Sequence, residues 1–222
     1  MEYAEYFPFW RSLTGPQRLA LQNAASIRHV PQGAVLHNGS EDCVGLFLVL
    51  EGRLRAYTVS DEGREVTLYR LLERDMCLFS AACIMNSIQF DITISAEQDS
   101  TVLHIPPQVY QELMAQSAPV ANYTNELMAT RFSDVMWLLD QILYKRLDAR
   151  LAAFLLEESA LDGTGTLRLT HEQIAQHLGS AREVVTRMLK YFQSEGLVAL
   201  SRGSVAVLDA VRLAKLAQGS LR

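Results

Sequence analysis

From about Gly33 to Pro106 the hydrophobic positions fall in short runs: AVLHNGS, GLFLVLEG, RLRAYTV, REVTLYRLL, DITISAE and TVLHIP. Each is rich in Val, Ile, Leu, Thr or Tyr and is bounded by turn residues, which is the pattern of strands. Ser60-Asp61-Glu62-Gly63 reads as a turn between two of them, with Gly63 free to take positive φ. Many short strands without long helices between them predict an antiparallel barrel or jelly roll. PQRLALQNAASI before this region and QVYQELMAQ after it read as helices. The period then changes. Val120, Tyr123, Leu127, Phe132, Val135, Leu139 and Ile142 recur at spacings of three to five, predicting one long helix from about Pro119 to Leu143. Pro119 suits its first turn. So wide an apolar stripe must pack along its length. A helix lying on its own barrel and a helix pairing with a second copy of itself both satisfy that need.

Residues 144–222 predict a helix (Lys145–Ser159), a Gly-rich turn (Asp162–Gly165), a short strand (Leu167–Leu169), two helices and a hairpin. The two helices lie in LTHEQIAQHLGSAREVVTRMLKYFQSEGLV. Thr170 with Gln173 three residues on is a capping box, so a helix starts at His171. Ile174, Ala175 and Leu178 form its apolar face and Gly179 stops it. Ser180 with Glu183 repeats the box pattern. Val184, Val185, Met188, Leu189 and Phe192 give a second apolar face, and Gly196 closes that helix. Two short capped helices joined at a glycine are a helix-turn-helix. Ala175 is small where the helices cross, and Gly179 permits the left-handed turn.

With the apolar positions facing inward, Ser180, Ala181, Arg182, Glu183, Thr186, Arg187 and Lys190 face outward. In such a motif the start of the second helix meets base edges in the major groove. Arg pairs with guanine O6 and N7, and Glu accepts from cytosine N4. Thr170 and Ser180 offer helix-start amides to phosphates. LVALSRGSVAVLD then forms a hairpin with Ser201-Arg202-Gly203-Ser204 at its tip. A basic tip beside a helix-turn-helix is the wing of a winged helix, with Arg202 reaching phosphate.

Charge agrees with this division. The chain of 222 residues has a net charge of −5. Residues 1–142 hold 9 Lys and Arg against 17 Asp and Glu, a net of −8, whereas residues 143–222 hold 11 against 8, a net of +3. A basic module is hidden behind an acidic one. Hydrophobic residues make up 49% and cysteines number three, which fits a globular protein with reduced thiols rather than a disulfide scaffold. The acidic, proline-broken start is unlike a signal peptide, and no uncharged apolar run reaches about 18 residues. The expected location is the cytoplasm, with no membrane partner.

The chain resembles the CRP/FNR family of bacterial transcription regulators over essentially its whole length. The resemblance is most specific at IAQHLGSAREVVTRMLKYFQSEGLV and includes FLVLEGRLRAYTVSDEGREVTLYRL. It implies an α+β protein of three parts: a sensor β-roll in residues 1–118, a dimerisation helix in 119–143 and a winged helix-turn-helix in 144–222. It implies a homodimer through Val120, Tyr123, Leu127, Val135, Leu139 and Ile142. It also implies an inverted-repeat operator in double-stranded DNA, with half-sites about one helical turn apart. Arg182, Glu183, Thr186 and Arg187 would contact bases; Thr170, Ser180, Ala181, Lys190, Ser201 and Arg202 would contact backbone. RNA polymerase is a candidate partner whose contacts would be surface patches without a sequence signature.

The effector region departs from the family. Cyclic-nucleotide sensors carry a Gly-Glu pair that binds the ribose and an Arg-Ser or Arg-Thr pair that binds the phosphate. Here the turn is Arg74-Asp75, Leu78-Phe79 stands at the first pair and Phe90-Asp91 at the second. Cyclic AMP is therefore not an expected ligand. Cys77, Leu78, Phe79, Ser80, Cys83, Phe90 and Asp91 mark the place, which fits either a pocket for another small molecule or a filled core. Cys77 and Cys83 fit either a redox pair or buried structural thiols. His29, His37 and His104 leave haem open, while an iron–sulfur cluster is not expected because the first cysteine is Cys43. A cupin-like metal enzyme would need several His and a carboxylate converging on one metal, and no His-x-His occurs. No P-loop, nucleophile elbow or Gly-x-Gly-x-x-Gly is present either, so neither catalysis nor a resident metal or cofactor is expected.

Overall fold

The computed structural model describes residues 2–39, 44–80 and 91–221. They form two compact units. One comprises residues up to Val59 and Leu68–Val135, the other Ser60–Thr67 and the residues from Met136 onward.

In the first unit, α1 (Gly15–Ala24) starts at a capping box: Thr14 Oγ1 accepts from the Gln17 amide and Gln17 Oε1 accepts from the Thr14 amide. Eight strands follow: β1 (Ser26–Val30), β2 (Val35–Asn38), β3 (Leu46–Glu51), β4 (Leu54–Val59), β5 (Glu65–Leu71), β6 (Met76–Cys77), β7 (Thr93–Ala96) and β8 (Ser100–Ile105). They make two four-stranded sheets, ordered β1-β8-β3-β6 and β2-β7-β4-β5. The β3–β8 ladder is antiparallel and pairs Leu48 with Leu103. The run LFLV in β3 lacks polar alternation because both of its faces are buried. Leu46 and Leu48 pack with Phe7, Ile105 and Tyr110 on one side. Phe47 and Val49 pack with Leu54, Leu71 and Ile94 on the other. Gly52 closes the β3–β4 turn at φ +93, where a Cβ would sit 2.6 Å from the Asp99 carbonyl oxygen.

Two more helices follow, α2 (Pro107–Gln116) and α3 (Ala118–Tyr144). The first 18 residues of α3 group with the first unit and the rest with the second. Val120 is fully buried in the sensor core, where Tyr123 and Leu127 also pack.

The second unit contains α4 (Leu147–Leu161), β9 (Thr166–Leu167), α5 (His171–Leu178), α6 (Arg182–Ser194), β10 (Val198–Ser201), β11 (Ser204–Val207) and α7 (Ala210–Leu216). The small antiparallel sheet runs β10-β11-β9. Leu151, Leu155, Ile174, Ala175, Val185, Leu189, Phe192, Leu197 and Val205 form its core.

This is the α+β architecture that the hydrophobic pattern predicts, apart from β6, which lies in no predicted run, and four further differences. Strand β1 (Ser26–Val30) begins in Ser26-Ile27, read as the tail of a helix; its side chains are largely exposed, so it lacks a core-facing period. The helix predicted from Lys145 starts at Leu147, because Arg146 is an extended N-cap residue. The strand predicted at Leu167–Leu169 is Thr166–Leu167. Helix α7, not predicted, is capped by Asp209, whose Oδ1 accepts from the Arg212 amide.

Candidate nucleic-acid interface

The capping box at Thr170 forms as predicted. Its Oγ1 accepts from the Gln173 amide at 3.2 Å, and Gln173 Oε1 accepts from the Thr170 amide at 2.9 Å. At the other end of α5, Gly179 adopts φ +62. The Gly179 and Ser180 amides both donate to the Ala175 carbonyl, closing the helix. From α4, Arg150 Nη2 donates to the Leu178 carbonyl at 2.6 Å. Burial lowers the pKa of the Arg150 guanidinium. The second predicted capping box, Ser180 with Glu183, does not form. Ser180 is taken up in ending α5, so α6 starts one residue later, with Ala181 as an N-cap that has no side-chain bond. Glu183 is then the second helical residue, one position short of the box.

Helix α6 has two chemically opposite faces. Val185, Leu189 and Phe192 are buried, while Arg182, Glu183, Arg187 and Lys190 are exposed. Among the described residues no ion pair ties these four charges down. Ser180, Ala181 and Thr186 are half-buried on the same approach. Thr186 Oγ1 lies 2.9 Å from His171 Nδ1 on α5, a contact that the sequence did not show because it joins two helices through side chains fifteen residues apart. At the hairpin tip, Ser201 and Ser204 hydroxyls lie 2.6 Å apart and Arg202 is exposed.

The effector residues lie in the first unit and present a different picture. Cys77, Leu78, Phe79 and Ser80 are buried, Asp91 is exposed, and Cys83 and Phe90 lie outside the described residues. Phe79 packs on Tyr69 with ring centroids 6.0 Å apart. Among the described residues the buried Tyr69 hydroxyl has no hydrogen-bond partner, and that burial pushes its pKa well up. Burial likewise raises the Cys77 thiol, opposed by hydrogen bonding with Ser80. No sequence signal marked Arg131, which α3 carries into this region. Its guanidinium carbon is 4.6 Å from the Tyr69 ring centroid. Its Nη1 donates to Asp134 Oδ2 at 3.0 Å, and its Nη2 lies 3.5 Å from Asp75 Oδ1. The buried cation thus already has two carboxylates. Arg74, beside Asp75, holds φ +74, a left-handed conformation unusual for a residue with a side chain.

The candidate haem histidines do not converge. His29 Nδ1 contacts Thr101 Oγ1 at 3.1 Å, and His37 is buried on β2. His104 Nε2 donates to the Val44 carbonyl at 2.6 Å while its Nδ1 accepts from Arg28 at 3.1 Å. Burial holds the His104 imidazole below its usual pKa. Among the described residues no group of three or more His, Cys, Asp or Glu side chains is placed to hold a metal, and no helix is long and apolar enough to cross a membrane.

Along α3 the six predicted dimer residues separate. Val120 is buried in the core of the first unit and Tyr123 and Leu127, half-buried, pack against it; Val135 is half-buried, and Leu139 and Ile142 are exposed. The exposed apolar row is Phe132, Met136, Leu139 and Leu143, spaced four, three and four.

A β-roll and a winged helix-turn-helix joined by one long helix define a class: transcription regulators that carry a sensor fold and a DNA-binding fold on one chain. Residues 27–117 match the cyclic nucleotide-binding domain family, and residues 149–216 match the Crp-like helix-turn-helix domain family. A crystal structure from Eubacterium rectale, assigned to the Crp/Fnr family of transcriptional regulators, is 58% identical. It superposes with a TM-score of 0.94, covering 97% of this chain and 100% of that one. The cyclic AMP receptor protein of Thermus thermophilus is 28% identical over 193 residues, 86% of this chain and 88% of that protein. The transcriptional activator Anr of Pseudomonas aeruginosa is 26% identical over 201 residues, 87% of this chain and 81% of that protein. The chain belongs to the Crp/Fnr family of transcription regulators.

Proposed function

We propose that this regulator acts as a homodimer on an inverted-repeat operator and does so without cyclic AMP. The observation that carries the DNA reading is the outer face of α6, where four charged side chains stand exposed with no ion pair among the described residues. Arg182, Glu183 and Arg187 read base edges; Lys190, Ser201 and Arg202 hold phosphates. Ser180 and Ala181 supply the approach to the helix start, and Thr170, whose hydroxyl and amide are both engaged in the cap, contributes by fixing the start of α5 beside the DNA backbone. The heptad-like row Phe132, Met136, Leu139 and Leu143 supports pairing with a second copy, because four exposed apolar residues at this spacing are the seam of a two-stranded coiled coil.

One relative is named a cyclic AMP receptor. In this chain Phe79 packs against Tyr69, and Arg131 is held by Asp134 and Asp75, which supports a site without a cation for the phosphate. A hydrogen bond from a cation to the phosphate is worth about 1.5–3 kcal/mol, so a site without one binds the nucleotide about tenfold or more weakly. The buried, pKa-raised Cys77 argues against a thiolate redox sensor.

Selection of random duplex DNA by the purified, reduced protein tests the reading. An enriched inverted repeat, unaffected by added cyclic AMP, is the expected result. Cyclic AMP that tightened binding would refute the ligand part, and a dimeric protein that enriched nothing would refute the DNA part. Leu139→Glu, placed on the seam, should convert the dimer to monomer in sedimentation.

A further inference from the structure

The DNA-facing surface carries a titratable ring outside the base-reading set. His171 is the first residue of α5, and its Nδ1 lies 2.9 Å from Thr186 Oγ1 on α6. Thr186 shares its helix face with the exposed Arg182, Glu183, Arg187 and Lys190. The charges that act on the ring come from α6 and are both positive, Arg182 and Lys190; Glu172, exposed, follows it on its own helix. Building on the DNA reading above, we propose that His171 is a positioning residue of that face: it fixes the Thr186 hydroxyl and makes operator affinity depend on pH.

In the free protein burial, then Arg182, then Lys190 hold the imidazole below its usual pKa. At neutral pH the ring is therefore uncharged, and its bare Nδ1 accepts the Thr186 hydroxyl hydrogen. Thr186 then offers only lone pairs outward. DNA phosphates near Arg182 and Lys190 offset the positive field and favour the imidazolium. The charged ring donates Nδ1–H to Thr186 Oγ1 and frees the hydroxyl hydrogen for an acceptor on the DNA, a phosphate oxygen or a purine N7. One proton enters per histidine and no covalent bond between heavy atoms changes. The complex binds more protons than its free components. Linkage then requires affinity to fall as pH rises, by at most about one decade per pH unit per histidine.

The test measures affinity for the selected inverted repeat from pH 8 to pH 6 at fixed ionic strength. The wild-type protein should bind about three- to tenfold more tightly per protomer at pH 6 than at pH 8. His171→Gln keeps a polar partner for Thr186 but cannot titrate, so its profile should be flat. His171→Arg, permanently charged, should bind at pH 8 about as tightly as the wild type does at pH 6. A flat wild-type profile, or a His171→Gln profile as steep as that of the wild type, would overturn the proposal while leaving selective DNA binding intact. A folded dimer that prefers no duplex at any pH would instead overturn the DNA reading on which it rests.

Discussion

Arg131 and Arg187 both project from helices, yet the two units use them in opposite ways. In the sensor unit Arg131 is buried, with Asp134 and Asp75 as partners and the Tyr69 ring beneath it. Nearby, Glu97 holds both Arg53, at 3.0 Å, and Arg70, at 2.9 Å. Charge here is spent on internal structure, where a low dielectric makes an unpaired ion costly. In the DNA-binding unit Arg182, Arg187 and Lys190 stay exposed, and apolar packing on the other side of α6 keeps the helix in place without their help. A charge free of internal partners is available to an external one. The difference explains how a chain with a net charge of −5 can present an exposed, largely cationic helix face.

The largest test of this contrast lies in the sensor. Asp134→Ala leaves Arg131 buried beside its weaker, longer contact to Asp75, and should cost about 3–5 kcal/mol in chemical denaturation. A cost under about 1 kcal/mol would mean that the buried charge is not held internally. Arg187→Ala makes the opposite kind of change. It should leave stability within about 0.5 kcal/mol of wild type but cost about 1–3 kcal/mol in operator binding and relax one base pair per half-site. Arg74→Gly should relieve the left-handed backbone at φ +74 and raise the sensor's stability by about 0.5–1 kcal/mol, seen as a higher melting temperature. The smallest effect belongs to the wing: Arg202→Ala should weaken all duplexes alike and reduce the salt slope by about 0.9 per bound protomer.

What the sequence disclosed follows the same division. The Thr170–Gln173 cap and the Gly179 turn are local signals, complete within ten residues, and both are realised. Ser180 looked like a second cap by the same local rule, but closure of α5 claimed its amide first. Six of the eight strands of the first unit were legible as runs; β1, whose exposed side chains carry no core period, and β6, only two residues long, were not. Arg131 with Asp75 was not legible: the residues are 56 apart, and nothing in either neighbourhood marks them as partners. The dimer row was half legible. Periodicity marked Phe132 and Leu139 but not Met136 or Leu143, and it did not tell which positions face the core, as Val120 does, and which face outward, as Leu139 does. The His171–Thr186 contact likewise needed the crossing of two helices to become visible.

Parallel selection of operators by the wild-type protein and by Arg187→Ala tests most directly that α6 reads DNA through its unpaired charges. The wild type should enrich an inverted repeat with half-sites about 10 base pairs apart, and the variant should enrich the same repeat with one position per half-site degenerate. Identical motifs from both proteins, or none from a folded wild-type dimer, would contradict it.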